Sequence, residues 1–196
     1  MGGGLVSKVI AIIPARGGSK RLMRKNIHPV WSKPMIFWAI KAAQHSFLID
    51  DVWVTTEDEE IKTIALSYGA KVHDRDPSLS KDKVYKMEAI RSCYSHIKEE
   101  EGYDTEDIVI SLQANSPQIT SQLLDDAINC FKTNERNELI SVGSNLMQNA
   151  AFRIMKSWYV FQKDLSVKTG VFVCDLIDVH SKEDVEEIER LGVNVE

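Results

Sequence analysis

The sequence predicts a three-layer α/β fold, in which a mostly parallel sheet carries helices on both faces. Two observations support this prediction. Strand-type and helix-type segments alternate along the 196 residues, and the strand segments at 8–13 and 107–112 are nearly continuous apolar runs. Strands of that kind are buried on both sides, which requires a helical layer on each face. The length fits one core, so residues 1–196 are predicted to form a single domain.

The first half of the chain supplies three strands and three helices by these criteria. In residues 34–46, Ile36, Ile40 and Ala43 fall close to one helical face, and Pro34 suits a first turn. A helix at 57–68 begins with acidic residues, which complement the helix dipole, and stops before Gly69. The remaining elements of this half are strands at 8–13, 51–55 and 71–73 and a longer helix at 83–100.

The second half repeats the alternation less regularly. It contains the strand at 107–112, a helix at 121–131 with Thr120 or Ser121 as its cap, and a closing helix at 181–191 capped by Ser181. Residues 139–142 and 169–174 are candidate strands. Residues 145–168 are rich in aromatic side chains and are predicted to form a hairpin or a short excursion from the sheet. The glycine-rich residues 1–7 are expected to be disordered.

Composition excludes several classes of protein. The formal net charge of -5 argues against a broad nucleic-acid surface. The longest apolar runs are far too short to span a bilayer, so no membrane partner is expected. Cys93, Cys130 and Cys174 are few, widely spaced and odd in number, which fits a reducing cytoplasm and offers no zinc spacing.

A basic turn follows the first strand in this acidic chain. Residues 12–26 (IIPARGGSKRLMRKN) pass through Gly17 and Gly18 and carry five cations: Arg16, Lys20, Arg21, Arg24 and Lys25. Such a turn exposes backbone N–H groups at the carboxyl edge of a parallel sheet, where ligands bind. The spacing is neither that of a P-loop nor that of a dinucleotide fingerprint. The turn is therefore predicted to hold a triphosphate, with a solvated basic loop as the alternative.

The motifs of this chain resemble those of the acylneuraminate cytidylyltransferases, the CMP-acidic-sugar synthetase family. The family pattern A-R-x-x-S-K-x-x-x-x-K-N is matched at identical spacing by Ala15, Arg16, Ser19, Lys20, Lys25 and Asn26. Further matches follow in order at 32–36 (SKPMI), 54–61 (VTTEDEEI), 68–72 (YGAKV), Arg75 with Leu79 and Asp82, 113–117 (QANSP) and 177–184 (IDVHSKED). The resemblance implies a Rossmann-like nucleotidyltransferase fold.

The resemblance also implies an activity and its residues. A family member transfers CMP from CTP to a small acidic sugar and releases pyrophosphate. The implied catalytic residues are Arg16, Lys25 and Asp178. The implied substrate-binding residues are Ala15, Gly17, Gly18, Ser19, Lys20, Asn26, Arg75, Gln113, Ala114, Asn115 and Ser116. For Arg75 the alternative is a simple ion pair with Asp74 or Asp76. A homodimer is a further expectation, because family relatives are often dimers.

The expected cofactor is Mg²⁺ or Mn²⁺, which neutralises charge at the phosphates in nucleotidyl transfer. The family's D-x-D carboxylates correspond to Asp178 and His180, so one acid is replaced by an imidazole. Asp178 is the expected ligand. His180 is either a ligand for a softer metal, a phosphate contact, a base, or a side chain with no chemistry.

The chain departs from the family pattern in three places. Arg21 and Met23 stand in the phosphate loop, the sugar-reading Arg and Asn are Val167 and Thr169, and the chain is short. Lys168 is a candidate for a nearby cation that binds a sugar carboxylate. Three alternatives to a sugar-acid cytidylyltransferase remain: an inactive nucleotide-binding paralogue, an enzyme with a different acceptor, and a sugar-1-phosphate nucleotidyltransferase.

Overall fold

A computed structural model describes residues 7–102, 106–164 and 166–193. In chain order, its strands are β1 Val9–Pro14, β2 Pro29–Val30, β3 Lys33–Pro34, β4 Asp51–Thr56, β5 Lys71–Asp74, β6 Ile108–Leu112, β7 Glu138–Val142, β8 Gln148–Lys156 and β9 Thr169–Val173. Its α-helices are α1 Met35–His45, α2 Glu59–Ser67, α3 Lys86–Glu101, α4 Ser121–Thr133 and α5 Lys182–Leu191. The expected disorder of residues 1–7 concerns a segment that, apart from Ser7, lies outside the described residues.

The described strands form a seven-stranded sheet in the order β5-β4-β1-β6-β8-β7-β9, with β2 and β3 as a separate two-stranded ribbon. The pairs β4–β5, β1–β4, β1–β6 and β7–β9 are parallel, and β8 is antiparallel to both of its neighbours. The predicted mostly parallel sheet is therefore confirmed. The carboxyl ends of β1, β4 and β6 meet at one edge of the sheet, which is called the rim below.

Both faces of the sheet are covered, as the apolar strands predict. Alternate side chains of β1 point to opposite sides: Ala11 and Ile13 pack in a cluster that includes residues of α1, α2 and α4. Ile10 and Ile12 pack in a second cluster with α3. All four of these strand residues are fully buried, so each face of the strand is stabilised by its own helical layer.

Two helices begin later than the sequence pattern predicts. Helix α2 starts at Glu59 because Asp58 is its N-cap and accepts hydrogen bonds from the N–H groups of Glu60 and Ile61. Glu57 therefore lies outside the helix and its carboxylate is free for other contacts. Helix α3 starts at Lys86, because residues 77–80 form a 3₁₀ helix and a turn from Lys81 to Val84 follows it.

The aromatic segment at 145–168 contributes one strand, β8, and not a hairpin of its own. Strand β8 pairs antiparallel with β7 and is inserted between β6 and β7 in the main sheet. A 3₁₀ helix, Ser157–Phe161, follows β8 and packs beside α3, where the carbonyl of Val160 accepts a hydrogen bond from Arg91 at 2.9 Å. Across the described residues, no helix combines the length and apolar character needed to cross a membrane.

Candidate active site

A pocket of about 490 Å³ opens at the rim, where the loop after β1 meets the segment before α3. Nine of the residues predicted from the sequence line it: Arg16, Ser19, Lys20, Lys25, Asn26, Arg75, Gln113, Asn115 and His180. The basic turn is therefore part of a concave site and not an isolated surface loop. Ala15, Gly17, Gly18, Ala114, Ser116 and Asp178 lie outside the lining, and Ala15, Ala114 and Ser116 are almost completely buried.

The loop after β1 is fixed by hydrogen bonds from its backbone. The N–H of Ala15 donates to the carbonyl of Thr55 at 3.1 Å, and the N–H of Gly17 donates to Glu57 Oε1 at 2.9 Å. The amide of Asn26, which is 6% exposed, donates to the carbonyl of Arg16 at 2.9 Å. The expected anion nest is thus incomplete, because a carboxylate of the protein already accepts from Gly17. Asn26 holds the shape of the loop.

The loop cations divide into three groups. Arg16 donates to Asp82 Oδ1 at 2.9 Å and to the carbonyl of Ser80 at 3.1 Å, and Lys20 pairs with the other oxygen of Asp82. Lys20 and Arg16 together hold the pKa of the Asp82 carboxyl below its ordinary value. Asp82 therefore occupies a place between two phosphate-binding candidates that a polyphosphate oxygen could take.

Lys25 and Arg21 form the second group, around His180. Their nitrogens lie 3.5 Å and 3.2 Å from His180 Nδ1, and His180 Nε2 lies 2.9 Å from Asp178 Oδ2. Because Arg21 is only a donor, His180 Nδ1 accepts, and Nε2 carries the proton that is donated to Asp178. Burial lowers the pKa of the Lys25 ammonium, an effect that Asp178 opposes. An anion bound here would stabilise the charged ammonium group and so compensate for the hydration that burial removes.

Arg24 is the exception among the five cations, because it faces away from the pocket. Its guanidinium pairs with Asp58 at 2.5 Å and with Glu60 at 2.6 Å. The hydrogen bond to Asp58 raises the pKa of Arg24, and the same bond lowers the pKa of Asp58. Arg24 thus ties the loop to the start of α2 and is not available to a ligand.

Arg75 pairs with neither Asp74 nor Asp76, so the alternative of a local surface ion pair is wrong. It is 6% exposed and donates to Glu57 Oε2 at 2.5 Å. Ser80 donates to the same oxygen at 2.6 Å. Glu57 thereby links the loop after β1, the end of β5 and the segment before α3. The Arg75 Nε atom is buried without a partner among the described residues, although the side chain lines the pocket.

The metal-binding capacity of the site is limited. No group of three or more His, Cys, Asp or Glu side chains suited to a metal occurs in the described ranges 7–102, 106–164 and 166–193. Asp178 accepts from the Asn115 amide through one oxygen and from His180 through the other. Each carboxylate oxygen has a second lone pair, so Asp178 could be one ligand of a metal that a substrate's phosphates complete.

Lys168 lies at the wrong edge of the sheet to assist this site. β9 begins at Thr169 and runs parallel to β7, and β7 and β6 are both antiparallel to β8. The start of β9 is therefore opposite the rim, about 16 Å from its carboxyl end for a five-residue strand at about 3.3 Å per residue. The carboxylate-binding role considered for Lys168 is incompatible with this topology.

Three pocket-associated residues were given no role by sequence reasoning. Glu57 follows β4 directly. Because ligand sites lie at the carboxyl ends of parallel strands, this position could have indicated that Glu57 belongs to the site. Asp82 was noted only as part of a spaced motif. Lys86 lines the pocket at the first turn of α3. No sequence signal pointed to Lys86, because the helix was expected to start three residues earlier.

Gly17→Ala is expected to destabilise the protein by about 1–3 kcal/mol, as overpacking usually does. A Cβ atom at residue 17 would lie 2.3 Å from Asp58 Oδ2, and Asp58 cannot move without losing Arg24 and the cap of α2. Gly18→Ala is the matched control, because no atom lies within 4 Å of its added Cβ. Urea denaturation measures both, and equal midpoints for the two variants would contradict this account.

Comparisons with known proteins agree with this geometry. The cytidylyltransferase family model matches residues 10–174. The chain is 36% identical over 134 residues to N-acylneuraminate cytidylyltransferase A of Danio rerio, covering 68% of this chain and 30% of that protein. It is 36% identical over 135 residues to a pseudaminic acid cytidylyltransferase of Campylobacter jejuni subsp. jejuni (strain 81-176), covering 68% and 57%. The matched region thus spans between 30% and 57% of the length of these relatives.

Solved structures share the fold. A CMP:2-keto-3-deoxy-manno-octonic acid synthetase complexed with CTP superposes with a TM-score of 0.74 at 16% identity, over 94% of this chain and 98% of that one. A 4-diphosphocytidyl-2C-methyl-D-erythritol synthase gives 0.71 at 12% identity, over 95% and 99%. These neighbours confirm the Rossmann-like nucleotidyltransferase fold. With the match at 10–174 covering most of the chain, the protein belongs to the cytidylyltransferase family.

Proposed function

We propose that this protein transfers CMP from CTP to an acidic sugar, a sialic-acid-like or related 2-keto sugar acid, and releases pyrophosphate. The observation that carries the proposal is the cationic pocket at the rim, in a chain of the cytidylyltransferase family. Arg16, Lys20, Arg21 and Lys25 line this pocket together. A triphosphate is the nucleotide group whose charge and length match such a cluster. The acidic sugars are those named in the activities of the relatives.

The proposed reaction is a displacement at the α-phosphorus of CTP. The hydroxyl oxygen of the sugar forms a new bond to that phosphorus and loses its proton to water, while the bond from the α-phosphorus to the bridging oxygen of the β-phosphate breaks and pyrophosphate leaves. Catalysis then depends on positioning and on neutralising the charge that develops on the leaving group. We assign Arg16 and Lys25 to neutralising that charge. We assign Ser19 and Lys20 to holding the phosphates.

Binding of CTP would have to displace an internal contact. Asp82 pairs with both Arg16 and Lys20, and its carboxylate is half exposed at 47%. Exposed ion pairs of this kind contribute only about 0–1 kcal/mol. A triphosphate can therefore replace Asp82 as the partner of these cations at small cost. The Asp82 contact keeps the two side chains near their working positions in the free protein.

We further propose that Mg²⁺ or Mn²⁺ assists the reaction, held by Asp178 together with the phosphates of CTP. One carboxylate and substrate oxygens are a common arrangement for Mg²⁺. His180 is a poorer ligand here because both of its ring nitrogens are already hydrogen-bonded. When bound, the ion would neutralise negative charge on the phosphate oxygens.

Pyrophosphate release from CTP tests the proposed function. The protein is incubated with CTP, Mg²⁺ or Mn²⁺, and separately N-acetylneuraminate, pseudaminic acid and 3-deoxy-manno-octulosonate. At least one acid should give pyrophosphate above the level seen without acceptor. Parallel reactions with UTP, dTTP and GTP distinguish a sugar-1-phosphate nucleotidyltransferase, for which one of these nucleotides should exceed CTP. Failure to bind CTP at all would contradict the proposal.

A second candidate function is nucleotide binding without catalysis. It is supported by Asp178, each of whose two oxygens already accepts a hydrogen bond, one from Asn115 and one from His180, so that a metal would have to compete with these contacts. Calorimetry separates the two candidates: clear CTP binding without pyrophosphate release for any acceptor would favour the binding protein. A homodimer and a cytoplasmic location, both expected from the sequence, stay predictions.

A further inference from the structure

We propose that Lys86 is the residue that binds the carboxylate of the acceptor, and so determines specificity for an acidic sugar. The inference rests on the proposed function, and it assigns a role to a cation at the start of α3, outside the phosphate loop. Lys86 is exposed at the wall of the rim pocket.

Lys86 forms no ion pair with the described residues. No carboxylate lies within 4 Å of its ammonium group among the described residues, in contrast to Arg16, Lys20 and Arg24. Although the residue is exposed to the pocket, the surrounding protein desolvates the ammonium group and lowers its pKa; Asp178 opposes this effect and Arg153 adds to it. A lysine held in this state gains both solvation and charge compensation when an anionic group binds.

Two features place Lys86 on the acceptor side of the pocket rather than the phosphate side. The hydroxyl of the preceding residue, Tyr85, lies 3.4 Å from Arg153 NH1. Arg153 belongs to β8 and lies opposite Ser111 of β6. In the sheet order β1-β6-β8, β8 is two strands from the loop after β1, about 10 Å at the usual strand spacing. Lys86 and Lys25 both lie within the field of Asp178, but the cation that acts on Lys86 is Arg153, whereas those that act on Lys25 are Arg21 and Arg16. Lys86 therefore lies on the side of the shared pocket that is nearer to β8.

The face of the sheet that carries Arg153 is incompletely covered toward its β9 edge. Ile140 of β7 lies opposite both Arg153 and Val171 of β9, so these side chains share one face of the sheet. Val171 is 52% exposed, so this face is open to solvent at β9, two strands from β8 in the sheet. Arg153 itself is already compensated by Glu138. A sugar bound on the open face would reach Lys86 with its carboxylate.

The start of α3 adds to the attraction for an anion. The helix has 16 residues, and its N-cap, Tyr85, makes no side-chain hydrogen bond to the first turn. The first-turn N–H groups carry the positive end of the helix dipole; that of Glu88 donates to the carbonyl of Tyr85, and Lys86 is the first residue of the helix. A carboxylate at Lys86 can accept from these groups as well as from the ammonium. This combination favours a carboxylate over a neutral hydroxyl.

Lys86→Met is expected to raise the KM for the acidic sugar about 10–100-fold, the usual effect of losing a hydrogen bond to a charged group. The KM for CTP should stay within about twofold of wild type. Lys83→Met is the matched control, because Lys83 is an exposed lysine of the same segment that does not line the pocket. Lys86→Arg keeps the charge and should recover most of the affinity.

Comparison of each acid with its methyl ester sharpens the test. Wild type and Lys83→Met should prefer the acid, and Lys86→Met should lose that preference. An unchanged acceptor KM in Lys86→Met would overturn the inference while leaving the proposed function intact. A selective rise in the KM for CTP would also overturn it, because Lys86 would then belong to the triphosphate site.

Equilibrium binding keeps the test independent of turnover. Calorimetry with N-acetylneuraminate, pseudaminic acid and 3-deoxy-manno-octulosonate is performed in the presence of CMP. Binding to wild type that is lost in Lys86→Met supports the inference even if no pyrophosphate is released, in which case only the proposed function fails. Absence of binding by all three acids to wild type would overturn the inference.

Discussion

Lys25→Ala is expected to lower kcat/KM for CTP by about 10²–10³-fold, the usual effect of removing one preorganised charged donor from a transition state. Lys25 lines the pocket at the first residue of the 3₁₀ helix Lys25–Ile27, and its ammonium lies beside His180 and within the field of Asp178. Burial has already removed part of its hydration. The interaction with phosphate is therefore formed by a fixed charge in a partly dehydrated site, where it is stronger than in water.

The distribution of charge explains why Lys25 should matter more than Lys20. The Lys20 side chain is 79% exposed and pairs with Asp82, so solvent screens it in the free and bound states. No carboxylate among the described residues lies within 4 Å of the Lys25 ammonium, whose pKa burial lowers. Lys20→Ala is accordingly expected to have the smaller effect of the two.

Steady-state kinetics of pyrophosphate release measures the fall in kcat/KM. Calorimetry with CTP shows how much of that fall comes from weaker binding of CTP in the ground state. Lys33→Ala is the control: Lys33 is exposed, stacks on the Phe37 ring at 5.6 Å and does not line the pocket. Lys25→Arg retains the charge with a different shape and should lose less activity than Lys25→Ala. Wild-type activity in Lys25→Ala would contradict the assignment of the loop to the triphosphate.

The sheet and its helices were predicted well because a strand that is buried on both faces can be recognised from its own residues, which form a continuous apolar run. The apolar runs in β1 and β6 and the stop at Gly69, whose φ is +81, are examples. The position of β8 between β6 and β7 has no such local signal in the sequence. Strand order depends on pairing between segments far apart in sequence, and an antiparallel strand inserted into a parallel sheet follows no simple alternation.

The site was predicted in part, for a related reason. Arg16, Lys20 and Lys25 share one loop, so their meeting at the rim follows from the strand that precedes them. The partners of these cations could not be predicted, because Asp82 and His180 come from distant segments. The pairing of Arg75 with Glu57 rather than with its neighbours Asp74 and Asp76 is likewise a tertiary contact. Lys168 shows the converse. It is close in sequence to a predicted sugar-binding motif, but it lies just before β9, at the edge of the sheet opposite the rim.

Glu57→Gln is expected to destabilise the protein by about 2–4 kcal/mol near neutral pH. The Glu57 carboxylate accepts from the N–H of Gly17, the guanidinium of Arg75 and the hydroxyl of Ser80. The Arg75 side chain is only 4% exposed, so the substitution leaves a buried charge uncompensated. Breaking a fully buried pair costs about 3–5 kcal/mol, and the expected value is lower because the Glu57 side chain is 17% exposed.

The loss should depend on pH in a defined direction. Burial alone would raise the pKa of Glu57, but hydrogen bonds from Arg75, Ser80 and Gly17 outweigh it and hold the pKa below its ordinary value of 4.5. A carboxyl whose pKa is lowered by folding contributes stability above its unfolded pKa and loses it as the pH falls through the folded one. The wild-type advantage should therefore be full at pH 7 and shrink below pH 4.5.

Urea denaturation of wild type and Glu57→Gln between pH 3 and pH 7 measures this effect directly. Protonated glutamate and glutamine are both neutral and nearly the same shape, so the two unfolding free energies should converge at the acidic end. Glu59→Gln is the control, since Glu59 is an exposed acid in the first turn of α2, and its substitution should shift stability by no more than about 0.5 kcal/mol. The contrary result is a difference in unfolding free energy between wild type and Glu57→Gln that stays constant with pH. It would show that the shape of Glu57, and not its charge, holds the loop, Arg75 and the segment before α3 together.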